Sequence, residues 1–461
     1  MHEHDDQKCP VANGLSREVP FPIDGEVESP VPLPVPPDVP FDNRKTYRCV
    51  LGAFLMLFSA YFGSITFIGI LLPLSVLAPK AFHVTVDGFV SSWMMLTEFI
   101  IGRLMDIRVR HFGDHFLPLH GHDPQTTLLI MNHRTNFDWL FCWGLGRAIQ
   151  KMKIILKESL SKIPGAGWAM QSAAFIFLQR RLATDESRIG DVVSYLLGLD
   201  DYCQLFMFPE GTDLNEKSLD RSNSYAKKNS LPFLHYTLHP RSTGFIYIIN
   251  LLGRGHLKYV YDVTVAYPDI VPYEPSSLLK GVMPKEVHYH VRCIPASELP
   301  WDDVNVNSIN SDDVDPVAAR NQRMADWLQA RWYEKENLLK EYYKLPPNQR
   351  KFENECLVGS RVFHQQPYEP LHLTVSGWLN TFFWVISSLL FIYGLCISWI
   401  FRIYFILIQL VFFYATYALG GMNTWALRQA KVPVLYSSST KKLKNAPTLS
   451  LDSLRSGGLT D

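Results

Sequence analysis

Thr126-Thr127-Leu128-Leu129-Ile130-Met131-Asn132-His133-Arg134-Thr135-Asn136-Phe137-Asp138-Trp139 joins a short run rich in apolar and β-branched side chains to a polar loop and the start of a helical pattern. An apolar run of that length, closed by polar residues, reads as a strand buried on both faces. Similar runs recur at Ala174-Phe175-Ile176-Phe177-Leu178, Gln204-Leu205-Phe206-Met207-Phe208 and Asp262-Val263-Thr264-Val265-Ala266-Tyr267. Helical stretches are expected between them at 136–150, at 186–199 and from Leu231 onward. Strand and helix alternating in this way predict an α/β layer arrangement between about Arg103 and Phe363. A loop rich in Asp, Asn and Ser, Trp301 to Asp315, then leads into a helix from Pro316 to about Tyr343, with Met324, Trp327, Leu328, Trp332 and Leu339 roughly on one face.

Apolar regions flank this layer on both sides. From Val50 to Ala78 no charge occurs over 29 residues. As one helix at ~1.5 Å per residue that run would reach about 44 Å, longer than a hydrocarbon core of about 30 Å. A tilt, kink or hairpin is therefore expected, with Gly63, Gly69 and Pro73 as bending points. Arg44, Lys45 and Arg48 would hold its start on the cytosolic side. Phe89 to Ile101 is a second patch, interrupted by Glu98 and short for a span. Leu373 to Phe401 and Ile403 to Leu427, separated only by Arg402, read as two spans, with Arg402 snorkelling near the far interface.

The chain accordingly divides into a disordered proline-rich tail (1–44), N-terminal membrane helices (45–102), an α/β domain (103–300), a loop with an amphipathic helix (301–365), C-terminal transmembrane helices (366–427) and a disordered tail (428–461). The first of these holds nine prolines and too little apolar periodicity to offset the entropy of ordering.

Composition narrows the function. Lys+Arg and Asp+Glu both number 44, so formal charge balances, and no basic domain suited to a nucleic-acid backbone stands out. The seven cysteines are scattered with no C-x-x-C pair, which predicts free thiols rather than a disulfide framework or a zinc site. The first apolar run begins near Val50 behind a polar leader, so no cleaved signal peptide is expected.

Two short constellations carry potential chemistry. His133 follows a strand, where α/β proteins expose reactive groups, and Asp138 lies five residues on. Such a carboxylate can fix the imidazole tautomer and stabilise the imidazolium, leaving the other ring nitrogen to take a hydroxyl proton. The same spacing also fits an Asp capping a helix beside a packed His. Phe208-Pro209-Glu210-Gly211-Thr212-Asp213 follows another apolar strand. It is either an ordinary tight turn or an anion site, in which Gly211 admits backbone N–H donors, Thr212 adds a hydroxyl and Glu210 positions Arg180, Arg221 or Arg241. His288 and His290 share a strand pattern, but no third ligand accompanies them, and no metal is assigned.

Taken in order, Asn132-His133-Arg134-Thr135-Asn136-Phe137-Asp138 and Phe208-Pro209-Glu210-Gly211-Thr212 resemble the two hallmark motifs of the glycerophospholipid acyltransferases. Phe175-Ile176-Phe177-Leu178-Gln179-Arg180 resembles the family's intermediate block, which ends in a substrate-binding Arg, and Val263-Thr264-Val265-Ala266-Tyr267-Pro268 resembles its final strand-and-proline block. The strings 164–171, 208–215 and 238–245 are similar to the lysocardiolipin acyltransferase branch, and the resemblance spans roughly residues 90 to 300.

The resemblance implies a membrane-tethered mixed α/β sheet flanked by helices, with transmembrane helices at both ends. It further implies His133 as general base, Asp138 as its orienting partner, and Glu210, Gly211 and Thr212 around the acceptor phosphate. Many relatives carry Arg after the Gly-Thr pair, where this chain has Asp213, so the cation must come from elsewhere, first Arg180 and second Arg241. The implied reaction moves a fatty acyl group from acyl-CoA to the free hydroxyl of a lysophospholipid: lysocardiolipin, lysophosphatidylinositol or lysophosphatidic acid. No cofactor beyond that co-substrate, no metal and no nucleic acid enter it, and the endoplasmic reticulum or membrane associated with mitochondria is the implied location. Trp168 and Met170 read either as lining an acyl path or as core packing. The competing expectation is an inactive lipid-binding scaffold that recruits partners through its proline-rich leader.

Overall fold

A computed structural model of the chain describes residues 43–114, 126–143, 151–179, 181–199, 202–301, 315–352 and 374–429. Residues 1–42 of the proline-rich leader, residues 430–461 of the final tail and Arg180 lie outside the described residues. Among the described residues, seven strands form one sheet: β1 (Arg108–Gly113), β2 (Thr126–Met131), β3 (Met152–Lys157), β4 (Ile176–Leu178), β5 (Gln204–Met207), β6 (Leu257–Ala266) and β7 (Glu286–Pro295), in the order β1-β7-β6-β2-β5-β3-β4. β2 to β6 run parallel, whereas β7 is antiparallel to β6 and carries β1 alongside it. All six residues of β2 are buried, which explains their unbroken apolar run.

The principal helices are α1 (Asn43–Gly63), α2 (Pro79–Phe99), α3 (Ala166–Ser172), α4 (Leu182–Gly198), α5 (Glu216–Lys228), α6 (Ser242–His256), α7 (Pro316–Lys344), α8 (Val375–Ile397) and α9 (Trp399–Ala418). Successive strand residues point to opposite faces, so the sheet feeds two cores. Leu129, Met131 and Phe206 pack with Phe62, Ile65 and Val86 of the N-terminal helices and with Trp384 and Phe412 of the C-terminal pair. Leu128, Ile130 and Leu205 pack instead with Val192 of α4, Phe245 of α6 and Leu328 of α7.

Among the described residues, four helical stretches are long and apolar enough to cross a membrane: Arg44–Leu71, Pro79–Leu104, Val375–Ile397 and Trp399–Ala418. Half of the apolar window in each of the first two is buried inside the protein, against 11% and 22% in the last two. The N-terminal pair thus docks onto the sheet, while α8 and α9 turn most of their apolar surface outward. A buried ion pair reinforces the docking: Lys153 Nζ of β3 donates to Asp87 Oδ1 of α2 at 2.6 Å.

Several expectations needed correction. The run from Val50 stays helical past Gly63 and Gly69 to Leu71, with a π-helical turn at Ser64–Ile68, and breaks at Leu72–Pro73. Phe89 to Ile101, short by itself, belongs to the longer stretch Pro79–Leu104, because Asp87 and Glu98 are buried inside the protein rather than facing lipid. Of the helix expected over 136–150, a regular turn forms only at Asp138–Phe141, and 144–150 lie outside the described residues. No helix starts at Leu231: residues 231–241 are irregular and α6 begins at Ser242. The amphipathic helix from Pro316 forms as expected, with Asp315 accepting the Val317 N–H at 3.0 Å as its cap.

Candidate active site

Three loops leave the sheet at the same end from adjacent parallel strands. β6, β2 and β5 are neighbours, so Tyr267, the His133 loop and the Phe208–Thr212 loop meet at their carboxyl ends, the usual place for sites in open α/β sheets. Asn132 fixes the first loop to β6 by mimicking a strand peptide: its side-chain amide donates to the Val265 carbonyl at 3.1 Å and accepts the Val265 N–H at 2.8 Å.

His133 Nδ1 lies 2.9 Å from Asp138 Oδ2. A carboxylate only accepts, so Nδ1 carries the hydrogen and Nε2 presents its lone pair. Nε2 has no hydrogen-bond partner among the described residues, and the ring is 15% exposed against 0% for Asp138. The same Asp138 oxygen accepts the backbone N–H of Arg134 at 2.6 Å and of Thr135 at 2.9 Å. Its other oxygen accepts the Tyr267 hydroxyl at 2.6 Å. Burial, together with the adjoining Asp138 charge, pushes the Tyr267 pKa well up, which keeps that hydroxyl a donor. Every acceptor position of Asp138 that faces the protein is thus used. The cap and dyad readings of this residue merge, because one carboxylate holds both the loop amides and the imidazole.

The second motif packs against the first. Phe208 stacks on the His133 ring with centroids 4.1 Å apart, and the Leu214 N–H donates to the His133 carbonyl at 2.8 Å. Glu210 is buried and accepts the Trp332 indole N–H on Oε1 at 3.0 Å. Burial pushes its carboxyl up to about 8, opposed by the Trp332 N–H, the His133 and Leu238 amides and the charge of Arg134. Among the described residues, two buried cations bear on Glu210: Lys335 of α7 and Arg134, which donates from Nη1 to the Tyr236 carbonyl at 3.2 Å. Of the cations expected beside Glu210, Arg180 lies outside the described residues, and Arg221 is exposed on α5, bonded to its own helix.

Arg241 is exposed and lies over the opposite side of the turn. A Cβ built on Gly211 would stand 3.5 Å from Arg241 Cδ, and Gly211 adopts φ +72°, a conformation that L side chains resist. Gly211 is itself exposed beside that guanidinium, whereas the half-buried Thr212 donates to Asp213 Oδ1 at 3.3 Å. The turn so presents one cation and one glycine backbone to solvent, while Glu210 faces inward.

Trp139, next to Asp138, opens toward an apolar pocket of about 600 Å³, counted with its mouth, that Trp143, Met170, Phe67, Phe89 and Trp384 also line. Met170 borders it, but Trp168 is core, stacked on Phe412 at 5.0 Å. His288 is engaged elsewhere, with Tyr342 at 2.9 Å and Glu286 at 3.0 Å, and no group of three metal-ligating side chains occurs among the described residues.

Arg134, Tyr267 and Trp332 are the members that sequence reasoning missed. Arg134 sits inside the first motif but reads as a solvent cation, and Trp332 was legible only as one apolar position on a helix face.

Comparison with known proteins bears on this geometry. A family model described as Acyltransferase matches residues 118–268, which include both motifs. The chain is 36% identical over 304 residues to lysocardiolipin acyltransferase 1 of Danio rerio, covering 65% of this chain and 72% of that protein. It is 32% identical over 415 residues to lysophosphatidylinositol acyltransferase 10 of Caenorhabditis elegans, covering 87% and 98%. A probable 1-acyl-sn-glycerol-3-phosphate acyltransferase 5 of Arabidopsis thaliana is 33% identical over 261 residues, covering 56% of this chain and 63% of that protein.

Proposed function

The chain belongs to the glycerophospholipid acyltransferase family, and on that premise we infer that it moves a fatty acyl group from acyl-CoA to the free hydroxyl of a lysophospholipid at a membrane surface. The observation that carries this reading is the His133–Asp138 pair, at 2.9 Å, with Nε2 unengaged among the described residues; Trp139, the residue after Asp138, lines an apolar pocket.

In the proposed reaction Nε2 of His133 takes the acceptor's hydroxyl proton as that oxygen attacks the thioester carbonyl. The tetrahedral oxyanion then collapses, the carbon–sulfur bond breaks, and the imidazolium returns its proton to the departing thiolate. Asp138 stabilises the transient imidazolium and keeps the productive tautomer. General-base help of this kind is worth about 10²- to 10⁴-fold, with orientation supplying much of the rest. No enzyme-bound acyl intermediate is required, so the pair suffices without a nucleophilic Ser or Cys.

The acceptor's phosphate is assigned to the exposed side of the second motif, where Arg241 and the Gly211 backbone stand together with Thr212 at the edge; Arg180, outside the described residues, is kept as a further candidate cation on the family resemblance alone. Glu210 acts from beneath through Arg134 rather than by touching phosphate, since it is buried. The acyl chain is assigned to the pocket lined by Trp139 and Met170. Relatives named for lysocardiolipin and lysophosphatidylinositol favour those acceptors over lysophosphatidic acid alone, and we assign the enzyme to the endoplasmic reticulum.

The test uses purified full-length protein, labelled acyl-CoA and a panel of lysocardiolipin, lysophosphatidylinositol and lysophosphatidic acid. His133→Ala should lower incorporation at least about a hundredfold on every acceptor while membrane insertion is kept. Equal turnover by the variant and the parent protein would remove the base assignment.

A further inference from the structure

Helix α7 lies outside the residues 118–268 matched by the family model, yet it reaches the undersides of both motifs. Residues three and four apart on a helix share a face, and Leu328, Trp332, Lys335, Glu336, Leu339 and Tyr343 follow that spacing. Three of them, Trp332, Glu336 and Tyr343, also direct polar atoms at the site.

Trp332 donates its indole N–H to Glu210 Oε1 at 3.0 Å. Glu336 gathers one irregular segment: its oxygens accept the backbone N–H of His235 at 2.6 Å, of Tyr236 at 3.0 Å and of Thr237 at 2.9 Å, plus the Thr237 hydroxyl at 3.0 Å. The middle residue of that segment offers its carbonyl to Arg134 Nη1 at 3.2 Å. Tyr343 accepts the Tyr267 backbone N–H at 3.3 Å, and its ring lies 5.8 Å from the Arg134 guanidinium carbon. Tyr267 in turn is the residue whose hydroxyl holds Asp138. Separate threads therefore run from one helix face to Glu210, to Arg134 and to Asp138.

We propose that α7 is the positioning element of the catalytic loops, with Trp332 holding Glu210 and Glu336 holding Arg134 through Tyr236, so that His133 stays aligned. The inference rests on the acyl-transfer reading of His133 and Asp138. Neither Trp332 nor Glu336 meets substrate. Their role follows from a dry site: Nε and Nη2 of the buried Arg134 and Oε2 of the buried Glu210 have no hydrogen-bond partner among the described residues, so the fixed partners of Nη1 and Oε1, the Tyr236 carbonyl and the Trp332 N–H, weigh heavily in placing them. The 231–241 segment has no helix or strand of its own to set its path, and the Glu336 carboxylate supplies that order.

A pH signature separates this from plain packing. The groups facing Glu210 are Arg134 and the His133 amide from the first loop, the Leu238 amide, and Trp332 and Lys335 from α7. Lys335 is already committed to Asp262 and to the Val263 carbonyl. Burial sets the Glu210 carboxyl at about 8, and the Trp332 N–H is one of the groups holding it down. Removing that donor moves protonation to higher pH, so the charged form that faces Arg134 is lost earlier as pH falls.

The experiment measures kcat and KM from mildly acidic to alkaline pH for full-length enzyme, Trp332→Phe, the same position carrying benzothienylalanine, Glu336→Gln and Leu328→Ala, with thermal unfolding of each. Benzothienylalanine keeps the bicyclic ring without an N–H, so it decides the matter if the Phe variant folds poorly. Loss of the N–H is expected to raise the acid limb of kcat/KM by about one unit, read as about a tenfold fall at neutral pH that largely recovers in alkali. Glu336→Gln is expected to lower kcat with little change in either KM. Leu328→Ala, a buried apolar position on the same helix, is expected to lower the unfolding temperature without moving the limb. An acid limb unmoved in both Trp332 variants, with rates within about twofold of the parent, would overturn the proposal while leaving His133-dependent turnover intact. Absence of turnover in the parent enzyme on every acceptor would instead overturn the acyl-transfer reading itself.

Discussion

Asp138→Asn keeps the shape of the buried group and removes its charge, so it isolates what the carboxylate contributes. Its oxygen can still accept from His133 Nδ1, Arg134 N and Thr135 N, and its new amide can face Tyr267, whose hydroxyl rotates to accept. Stability should therefore fall only by the difference between charge-assisted and neutral bonds, about 1 kcal/mol for each of the contacts kept on oxygen, or ~3 kcal/mol together. Catalysis should suffer more. An imidazolium forming beside this carboxylate is stabilised by about 4 kcal/mol at a charge separation near 4 Å and an effective dielectric of about 20. Losing it slows proton transfer by roughly a thousandfold. Alanine at 138 would be less informative, because it leaves four inward donors without their acceptor and risks unfolding. The assay is initial-rate acyl transfer by purified protein in nanodiscs, at saturating acceptor, with unfolding followed on the same samples. A kcat within about threefold of the parent, in protein that unfolds as predicted, would refute the role given to the carboxylate.

Other consequences can be checked independently. Arg241→Gln should raise KM for phosphate-bearing lysolipids by about ten- to a hundredfold with little change in kcat; an equal effect on an uncharged monoacylglycerol acceptor would contradict phosphate binding there. Met170→Trp narrows the apolar pocket and should move the kcat/KM preference toward lauroyl- over stearoyl-CoA by about tenfold or more; an unchanged ratio would place the acyl chain elsewhere. Glu210→Gln should be less active yet progressively more stable relative to the parent as pH rises from about 4.5 to about 8. The sign follows because the folded state keeps the Glu210 proton to higher pH than the unfolded chain, so the parent loses stability over that window. Parallel unfolding curves across the window would contradict it.

Local patterns carried far in this chain. Thr126–Met131 is readable as a strand because burial on both faces leaves an uninterrupted apolar run, and Pro316–Lys344 is readable as a helix because its cap, its proline and its apolar spacing agree. The terminal apolar stretches and the order of the two motifs were equally plain. β3 was harder to see, since Lys153 interrupts it and is neutralised only by Asp87 from a helix more than sixty residues earlier. The helix expected from Leu231 failed for a related reason: that segment takes its path from Glu336, about a hundred residues later, not from its own periodicity.

The candidate site divides along the same line. His133 and Asp138 lie close in sequence and share one loop, so their pairing is largely a local matter of spacing. Which cations face Glu210, and which way Glu210 itself points, depended on α7 closing over the loops and excluding water from Arg134. Periodicity, capping and spacing act over a few residues and are written in order along the chain; the cost of burying a charge is set by whatever folds against it, and only the assembled layers determine that.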